Sequence, residues 1–437
     1  MPLPVVAIIG RPNVGKSTLF NRLGRDRVAI TDDTPGVTRD RLYRTVEWSG
    51  RYFLMVDTGG FLPRSDELFD QKVREQAELA IAEADLVLFL VDAQVGPVDI
   101  DQEIAKILRR SGKPTLLVAN KADNFNLHLE ANAHYSLGLG EPITVSAISG
   151  GNTGNLLDEI LARLPAASDA EEPAVDAIRV AVIGRPNVGK SSLVNRLLGD
   201  DRLIVTEIAG TTRDSIDTFL EYADRKFVLV DTAGLRRQAK VKDNLEMYTA
   251  MRTIRALQRA DVALVLVEGP EGINHQDIKI IEEAHDERKG IVIVVNKWDL
   301  VEKDTKTVDE FTRTFAERIH TMSYIPLIFV SAKTGQRVAK VLDKVIEVYT
   351  DRLKRIPTSQ LNDFLQQALA ERHPPAHRGM WIKFNYVTQT DVAPPTFVFF
   401  VNHPEQVDRS YIRYLENRIR DTFGFVGNSL RLKFKRK

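Results

Sequence analysis

The chain carries two copies of one nine-residue motif, and this duplication restricts its possible folds more than any other feature. Gly10–Thr18 reads GRPNVGKST and Gly184–Ser192 reads GRPNVGKSS, 174 positions further on. The tetrapeptide DTGG at Asp57 recurs with the same offset as DTAG at Asp231. A period of this length is a whole domain and not a solenoid repeat. The sequence therefore predicts two tandem domains with one fold.

Each copy alternates short apolar runs with amphipathic segments. This alternation predicts buried, mostly parallel strands with helices on both faces, which is a doubly wound α/β fold. The motifs directly follow the runs, at the sheet edge where open α/β folds bind ligands. The runs are Val5–Ile9, Phe53–Val56, Leu86–Val91, Leu116–Ala119 and Ile143–Val145, then Val180–Ile183, Phe227–Val230, Val262–Val267, Ile291–Val295 and Leu327–Val330.

Four segments are predicted along the chain. Two P-loop domains span residues 1–164 and 178–352, joined by an acidic, Ala- and Pro-rich stretch at 165–177 that is a flexible linker or an ordered strap. Residues 353–437 follow the pattern α-β-β-α-β, typical of a smaller α+β domain. Its predicted helices are Leu361–Ala370 and Tyr411–Phe423, and its predicted strands are Met380–Val387, Thr396–Asn402 and Leu430–Phe434.

Charge and composition narrow the class of protein. The formal net charge is zero, yet residues from Lys354 onward hold 14 Lys/Arg against 7 Asp/Glu, so the total hides a basic C-terminal module. The chain has no cysteine, which excludes disulfides, thiolate zinc sites and cysteine nucleophiles. No signal-like N-terminus and no run of roughly 18–20 apolar residues is found. We expect a cytoplasmic monomer with no membrane partner.

The repeated motif fits G-x-x-x-x-G-K-[ST], the phosphate-binding P-loop. Its glycines let backbone N–H groups surround phosphate oxygens, and the following helix adds its positive dipole end. We expect Lys16 and Lys190 to reach the β- and γ-phosphates, and the Ser17 and Ser191 hydroxyls to bind Mg²⁺. A degenerate glycine turn would not explain a lysine and a hydroxyl placed twice. The predicted residues are Gly10, Arg11, Pro12, Asn13, Val14, Gly15, Lys16, Ser17, Thr18, Gly184, Arg185, Pro186, Asn187, Val188, Gly189, Lys190, Ser191 and Ser192.

Two loops after each P-loop are predicted to sense the γ-phosphate. The hydroxyls of Thr38 and Thr212 would complete Mg²⁺ coordination when a triphosphate is bound, and Asp57 and Asp231 would hold the ion. Each residue alone is an ordinary turn or surface residue, but their order after the P-loop favours the functional interpretation. The second loop comprises Asp57, Thr58, Gly59, Gly60 and Phe61 in one copy and Asp231, Thr232, Ala233, Gly234 and Leu235 in the other.

The motif N-K-x-D selects the base. Its carboxylates can accept two hydrogen bonds from the ring N–H and the amine of guanine, whereas adenine would leave a buried carboxylate unpaired. The motif therefore predicts GTP and GDP as ligands. The predicted residues are Asn120, Lys121, Asp123, Asn296, Lys297 and Asp299, with Ser146, Ala147, Ser331 and Ala332, where the alanine N–H groups would meet the guanine oxygen.

Neither site has the glutamine that orients the attacking water in many GTPases. Phe61 and Leu235 stand in its place, so no catalytic residue is assigned and we expect slow intrinsic hydrolysis. Positive charge beside the phosphates, of the kind an arginine finger supplies, could assist hydrolysis instead. One source of this charge is K⁺ held by the P-loop amides of Asn13 and Asn187. Arg39 and Arg213 are another source, or they are ordinary loop-surface charges.

Together the motifs and the basic module closely resemble the bacterial Der (EngA) family of tandem GTPases. The resemblance covers essentially the whole chain and includes Pro394–Phe397, Val401–Asn402 and Tyr414–Asn417. It implies a KH-like third domain, a role in assembling the large (50S) ribosomal subunit and contact with rRNA. Gly424–Gly427 has the letters of the GXXG loop by which KH domains grip single-stranded RNA, but it follows the last helix. We therefore predict a helix C-cap and turn there.

Two other functions fit parts of the sequence. A tRNA-modification enzyme with GTPase domains is disfavoured because such enzymes often end in a catalytic cysteine, and this chain has none. A membrane-acting GTPase is disfavoured because no spanning or basic amphipathic anchor is found. The basic stretch Arg236–Lys242 either responds to RNA or a neighbouring domain, or is a solvated loop. The C-terminal LKFKRK either contacts phosphates or is a solvated end.

Overall fold

The computed structural model describes residues 3–25, 43–58, 78, 80–165, 177–200, 203–206, 217–232, 246–302, 304, 306–319, 322–375 and 381–436. They form sheets of six, seven and three strands. The chain divides into two compact units, Met1–Ala174 with Asp243–Arg255, and Val175–Lys242 with Ala256–Lys437. The six-stranded sheet lies in the first unit and the other two sheets lie in the second. The predicted linker at 165–177 falls almost wholly outside the described residues.

The first unit is built on a doubly wound sheet of order β2-β3-β1-β4-β5-β6. All of its pairings are parallel except the β2–β3 hairpin, as the apolar runs predict. Buried apolar clusters cover both faces of the sheet. Its elements are β1 (Val5–Ile9), α1 (Lys16–Arg25), β2 (Tyr43–Trp48), β3 (Arg51–Asp57), β4 (Leu86–Asp92), α2 (Asp99–Ser111), β5 (Thr115–Asn120), α3 (Phe125–Glu130) with a 3-10 turn (Ala131–Leu137), β6 (Ile143–Thr144) and α4 (Thr153–Arg163).

The second unit repeats this plan in the order β13-β12-β11-β7-β10-β9-β8. β8, β9 and β10 pair antiparallel and the remaining pairs are parallel. In chain order the elements from Ile178 to Arg352 are β7 (Ile178–Gly184), α5 (Lys190–Leu198), β8 (Ile204–Thr206), β9 (Thr218–Tyr222), β10 (Arg225–Val230), α6 (Glu246–Arg259), β11 (Val262–Glu268), α7 (His275–Asp286), β12 (Gly290–Asn296), a 3-10 turn (Trp298–Leu300), α8 (Thr307–Ile319), β13 (Leu327–Phe329) and α9 (Lys340–Arg352). Of α6, the residues up to Arg255 belong to the first unit and those from Ala256 onward to the second.

The C-terminal domain has the predicted order α-β-β-α-β. It consists of α10 (Thr358–Glu371), β14 (Phe384–Val392), β15 (Pro395–Val401), a 3-10 turn (Pro404–Gln406), α11 (Arg409–Phe423) and β16 (Arg431–Arg436). β15 lies between antiparallel β14 and parallel β16. Aromatic rings fill its core, where Phe384 packs against Phe399, Phe434 and Tyr411. No helix among the described residues is long and apolar enough to cross a bilayer.

The segment Gly424–Gly427 is a helix cap, as predicted. Gly424 caps α11 with φ 90° and donates its N–H to the carbonyl of Arg420, 2.8 Å away. The segment also joins the second sheet, because Gly427 accepts from the Ile291 N–H at 2.8 Å and donates to the Tyr324 carbonyl at 3.0 Å. The Arg420 guanidinium lies 3.5 Å from the centre of the Tyr324 ring. The four residues therefore form an anchor between the C-terminal domain and the second P-loop domain.

Gly427 is a position that only glycine fits. Its φ is 69°, and a Cβ there would lie 2.6 Å from the Ile291 carbonyl oxygen. Gly272 offers a matched control, since its φ is 66° and a Cβ would meet nothing within 4 Å. We expect Gly272→Ala to lower the free energy of unfolding by about 1–2 kcal/mol through its backbone alone, and Gly427→Ala to cost about 1–3 kcal/mol more through overpacking.

Denaturant unfolding followed by tryptophan fluorescence measures the difference, because one of the three indoles, that of Trp298, is buried in the second P-loop domain. Equal destabilisation by the two substitutions would contradict a tightly packed anchor.

Candidate nucleotide sites

Both P-loops leave a buried strand and enter a helix in the predicted way. β1 and β7 end at the loop, and α1 and α5 begin at Lys16 and Lys190. The Lys16 ammonium donates to the carbonyls of Gly10 at 2.8 Å and Arg11 at 2.9 Å. Lys190 repeats this with Gly184 at 2.8 Å and Arg185 at 2.6 Å. The carbonyls hold each ammonium over the loop, where a bound phosphate would meet it.

One asparagine side chain connects three loops in each site. Asn120 donates from Nδ2 to the carbonyl of Val14 in the P-loop at 2.8 Å, and its Oδ1 accepts from the Ala147 N–H at 2.9 Å. Asn296 makes the same pair of bonds to Val188 at 2.8 Å and Ala332 at 3.0 Å. The alanine N–H groups here donate to asparagine, so their contact with the guanine oxygen stays a prediction.

The last P-loop glycine is required by this asparagine. Gly15 and Gly189 have φ of 94° and 97°, which glycine adopts without steric cost. A Cβ at either position would lie 2.3 Å from the Nδ2 of Asn120 or Asn296. The glycine of one motif and the asparagine of another, over a hundred residues apart, therefore form one packed unit.

The lysine of N-K-x-D is held by an acid at the end of the neighbouring strand. Lys121 pairs with Asp92 at 2.6 Å, and Lys297 pairs with Glu268 at 2.9 Å. Both lysines have positive φ, 67° and 58°, which directs the chain abruptly away from the strand. In the first site the Ser146 hydroxyl also donates to the Asp123 carboxylate at 2.5 Å. The predicted base-binding residues thus lie together at the carboxyl edge of each sheet.

In the first site two predicted Mg²⁺ ligands lie side by side. The Ser17 hydroxyl donates to the Asp57 carboxylate at 2.6 Å, next to the P-loop lysine. A hydroxyl and a carboxylate are the hard oxygen donors that Mg²⁺ binds alongside phosphate oxygens. The donor set of the first site therefore fits the ion.

The second residue of each P-loop is clamped by a buried aspartate. Arg11 lies 3.5 Å from Asp101 on α2, and Arg185 lies 2.8 Å from Asp277 on α7. Both aspartates have no exposed surface, and burial raises the pKa of each carboxyl. Arg185 has a second partner in Glu271 at 3.1 Å. Each pair fixes the start of the P-loop against a helix whose own N-terminus the aspartate caps.

The two D-T-x-G motifs differ in conformation. Asp57 stays within β3, and the Thr58 hydroxyl donates to the Ile8 carbonyl at 2.8 Å. Asp231 instead has φ of 58°, and the Thr232 hydroxyl lies 2.7 Å from that of Thr218 on β9. Motifs with nearly the same letters therefore adopt two local structures in one chain.

Asp217 explains the second conformation. Its Oδ1 accepts the backbone N–H of Asp231 at 3.0 Å, and its carboxylate forms a two-pronged pair with Arg259 at the end of α6, 3.2 Å for one prong. At the matching positions the first copy has Tyr43 and Glu83, which cannot form this pair. The second site thus has an ion pair, absent by sequence from the first, that ties the predicted magnesium ligand Asp231 to α6.

Several predicted residues lie outside the described part of the chain. They are Thr38, Gly59, Gly60, Phe61, Thr212, Ala233, Gly234 and Leu235, together with Arg39, Arg213 and Arg236–Lys242. Asn13 and Asn187 are described, and both are exposed on the P-loop with positive φ, 63° and 65°.

Some contacts of the sites were missed by sequence reasoning, although the repeat itself signals them. Arg22 on α1 donates to the Ala147 carbonyl at 3.1 Å, and Arg196 on α5 donates to that of Thr334 at 3.2 Å. These arginines are 174 positions apart, like the P-loops, and Asp101 and Asp277 are 176 apart, like the N-K-x-D motifs. Comparing the two copies residue by residue would have found both pairs.

Family models match most of the chain. A model described as "50S ribosome-binding GTPase" matches residues 5–121 and 179–297. A second, described as "KH-domain-like of EngA bacterial GTPase enzymes, C-terminal", matches residues 355–435. The two matches to the first model each fall within one doubly wound domain and end before its last strand, β6 or β13.

Curated relatives match over full length. The chain is 51% identical to GTPase Der of Moorella thermoacetica, covering 100% of this chain and 99% of the relative. It is 51% identical to GTPase Der of Desulforamulus reducens, covering 99% and 98%. Among solved structures, Aquifex aeolicus Era is 21% identical over 60% of this chain and 93% of its own, with a TM-score of 0.31.

We expect the buried P-loop lysines to make nucleotide binding sensitive to pH. They are only 6% and 8% exposed, and burial lowers the pKa of Lys16 and of Lys190 to about 8. Bound phosphates favour the charged ammonium, so the lysine pKa is higher in the complex than in the free protein. Below pH 8 the lysine is protonated in both the free protein and the nucleotide complex, so the affinity is constant. Above pH 8 the lysine of the free protein must take up a proton when the nucleotide binds.

We therefore expect the Kd for GDP to rise by up to about tenfold per pH unit above pH 8. Calorimetric titration between pH 7.5 and 9 in buffers of different ionisation enthalpy would measure Kd and proton uptake together. The double variant Lys16→Arg with Lys190→Arg keeps its charge throughout, so its remaining affinity should not vary with pH beyond the nucleotide's own titration. A flat profile in the unmodified protein would refute the prediction.

Proposed function

The chain belongs to the GTPase Der family and hydrolyses GTP, and we propose that it acts as a nucleotide-gated switch in assembly of the large ribosomal subunit. The observation that carries the proposal is the joining, in one chain, of two guanine-nucleotide sites and a basic KH-like domain. The family model that matches both P-loop domains is described as a ribosome-binding GTPase. The net charge of +7 from Lys354 onward suits a phosphate-rich partner.

The geometry supports a division of work between the residues of each site. Lys16 and Lys190 would neutralise the β- and γ-phosphates, and Asp123 and Asp299 would select guanine. When bound, Mg²⁺ would neutralise charge that builds up on the phosphates; Ser17, Thr38 and Asp57 would hold it in one site and Ser191, Thr212 and Asp231 in the other. Because Phe61 and Leu235 cannot orient water, intrinsic hydrolysis would be slow, as suits a switch whose output is a change of state.

A change of nucleotide state would affect the KH-like domain through the second P-loop domain. Its β12 ends at Asn296, the residue that connects the three nucleotide-binding loops. The same strand begins beside Ile291, which the C-terminal anchor binds. One strand therefore links the guanine site to the KH-like domain, and this supports a route from nucleotide state to ribosome contact.

Co-sedimentation with purified large and small ribosomal subunits tests the proposal. We expect the protein to sediment with large subunits, and its occupancy to differ between GDP and a non-hydrolysable GTP analogue. Binding should weaken steeply with salt, because phosphate contacts release counterions. The matched control is the small subunit, which has similar charge density. Absence of large-subunit binding in every nucleotide state at low salt would remove the proposal.

GTP hydrolysis in these sites would be assisted by a positive charge beside the phosphates. The geometry of the P-loops favours K⁺ as the source of this charge. Asn13 and Asn187 place amide groups, exposed and with positive φ, at the outer turn of each P-loop. We expect GTP hydrolysis to be faster in K⁺ than in Na⁺ at equal ionic strength, and Asn13→Ala with Asn187→Ala to remove the difference. A steady-state phosphate-release assay in the two salts measures this. Equal rates in the unmodified protein would count against the role of K⁺.

A further inference from the structure

The sheet of the KH-like domain has one face on its core and one face turned away from it. Phe399 and Phe434 stack in the core, where Phe384 also contacts Tyr411 of α11. Side chains alternate along a strand, so the neighbours of Phe399 and Phe434 point to the opposite face. Those neighbours are Phe400 and Lys435, which the strand register places directly opposite each other.

An aromatic pair lies on this outer face. Tyr386 opposes Phe400 across β14 and β15, with ring centres 4.3 Å apart and planes inclined by only 13°. Tyr386 is 37% exposed, although aromatic rings on small domains are usually buried against a partner. The exposed indole of Trp381 lies at the same end of the sheet, where its carbonyl accepts from Asn402 at 2.9 Å.

Basic side chains flank the aromatic pair. Lys433 opposes Val398 and Lys435 opposes Phe400, so both ammonium groups share the face with Tyr386. Neither lysine forms an ion pair within the part of the chain that the structure describes. A face with stacked rings beside unneutralised ammonium groups matches the two components of a single-stranded nucleic acid, its flat bases and its phosphates.

The usual KH route to RNA is closed in this domain. Within residues 353–437 the only segment with GXXG letters, Gly424–Gly427, is taken up by the anchor to the second P-loop domain. Phe425 within it has no exposed surface. A GXXG loop must present its backbone to nucleotides, and this one is bonded to Ile291 and Tyr324 instead.

We propose that the outer face of this sheet binds single-stranded rRNA, with an unpaired base stacked on the Tyr386–Phe400 pair and phosphates on Lys433 and Lys435. The proposal rests on the proposed function and names the surface through which the ribosome is contacted. Duplex RNA would not use the rings, since its bases are already stacked. An acidic protein would use the lysines but would gain no stacking from the rings.

Fluorescence anisotropy with the full-length protein tests the face. The probes are a short unstructured RNA and a duplex of equal length, both end-labelled, in GDP over a range of salt concentrations. We expect Tyr386→Ala to weaken single-strand binding about 5- to 100-fold and duplex binding hardly at all. Tyr386→Phe keeps the ring and should bind as the unmodified protein. Lys433→Ala with Lys435→Ala should reduce the slope of log K against log salt by about 0.7 per lysine.

Two controls separate a lost contact from a lost fold. Tyr52→Ala removes a comparably exposed tyrosine, 42% exposed, from the first unit and should leave RNA binding unchanged. GDP affinity at both sites should stay the same in every variant. Phe400→Leu keeps apolar bulk but removes the stacked ring, so it should reproduce the effect of Tyr386→Ala.

The outcomes distinguish this proposal from the proposed function. If large subunits bind but Tyr386→Ala holds RNA as tightly as Tyr52→Ala does, the face is wrong and the function stands. If the variants no longer bind intact subunits but still bind free RNA, the partner of this face is a protein and the proposal that it binds RNA fails. If RNA binds through Tyr386 but no subunit binds, the proposed function fails and the face stands.

Discussion

Each nucleotide site is assembled around one buried side-chain amide. Asn120 and Asn296 are 2% exposed, and each connects the P-loop to the loop that follows the last strand of the sheet. A hydrogen bond of this kind contributes about 1 kcal/mol, but leaving its buried partner unsatisfied costs about 1–3 kcal/mol. The asparagine therefore works less by adding stability than by making any other arrangement of the three loops costly. The glycines at 15 and 189 are the counterpart of this constraint, because any Cβ there would displace the amide.

The two copies share this assembly but differ on the side where Mg²⁺ binding is predicted. The arginine–aspartate pair recurs at 3.5 Å in the first copy and 2.8 Å in the second, and the P-loop lysine and the asparagine repeat with closely similar distances. Asp57 and Asp231 do not, because Asp217 and Arg259 occur only in the second copy. The ion pair joins the residue before β9 to the last residue of α6, next to the aspartate that is predicted to hold Mg²⁺ in the second site. The D-T-x-G motif of the second site therefore has a contact that the sequence of the first site cannot form.

Sequence predicted what is encoded locally. The P-loops, the parallel strands and the α-β-β-α-β order were correct because each depends on a contiguous run or motif. The hairpin strand Tyr43–Trp48 was not predicted, since its Arg and Glu side chains give an edge strand no continuous apolar run. The role of Asp101 was not predicted because it depends on an ion pair with Arg11, ninety positions away. A single aspartate at the start of a helix is ordinarily a helix cap. The cap at Gly424 was predicted, but its docking was not, because no local pattern tells a turn that faces solvent from one that faces a sheet.

That docking has a consequence for how the protein is made. β13 reaches only Ile293–Val295 of β12, and further along the strand Gly427 and Asn428 supply the missing neighbour, through the Ile291 N–H and a bridge at Gly290. The second P-loop sheet is therefore completed by residues close to the C-terminal end of the chain. A nascent chain folds from its N-terminus as it emerges, so the first P-loop domain can close during synthesis. The second P-loop sheet lacks this neighbour at Gly290 and Ile291 until Gly427 and Asn428, more than 130 residues further along the chain, have been synthesised.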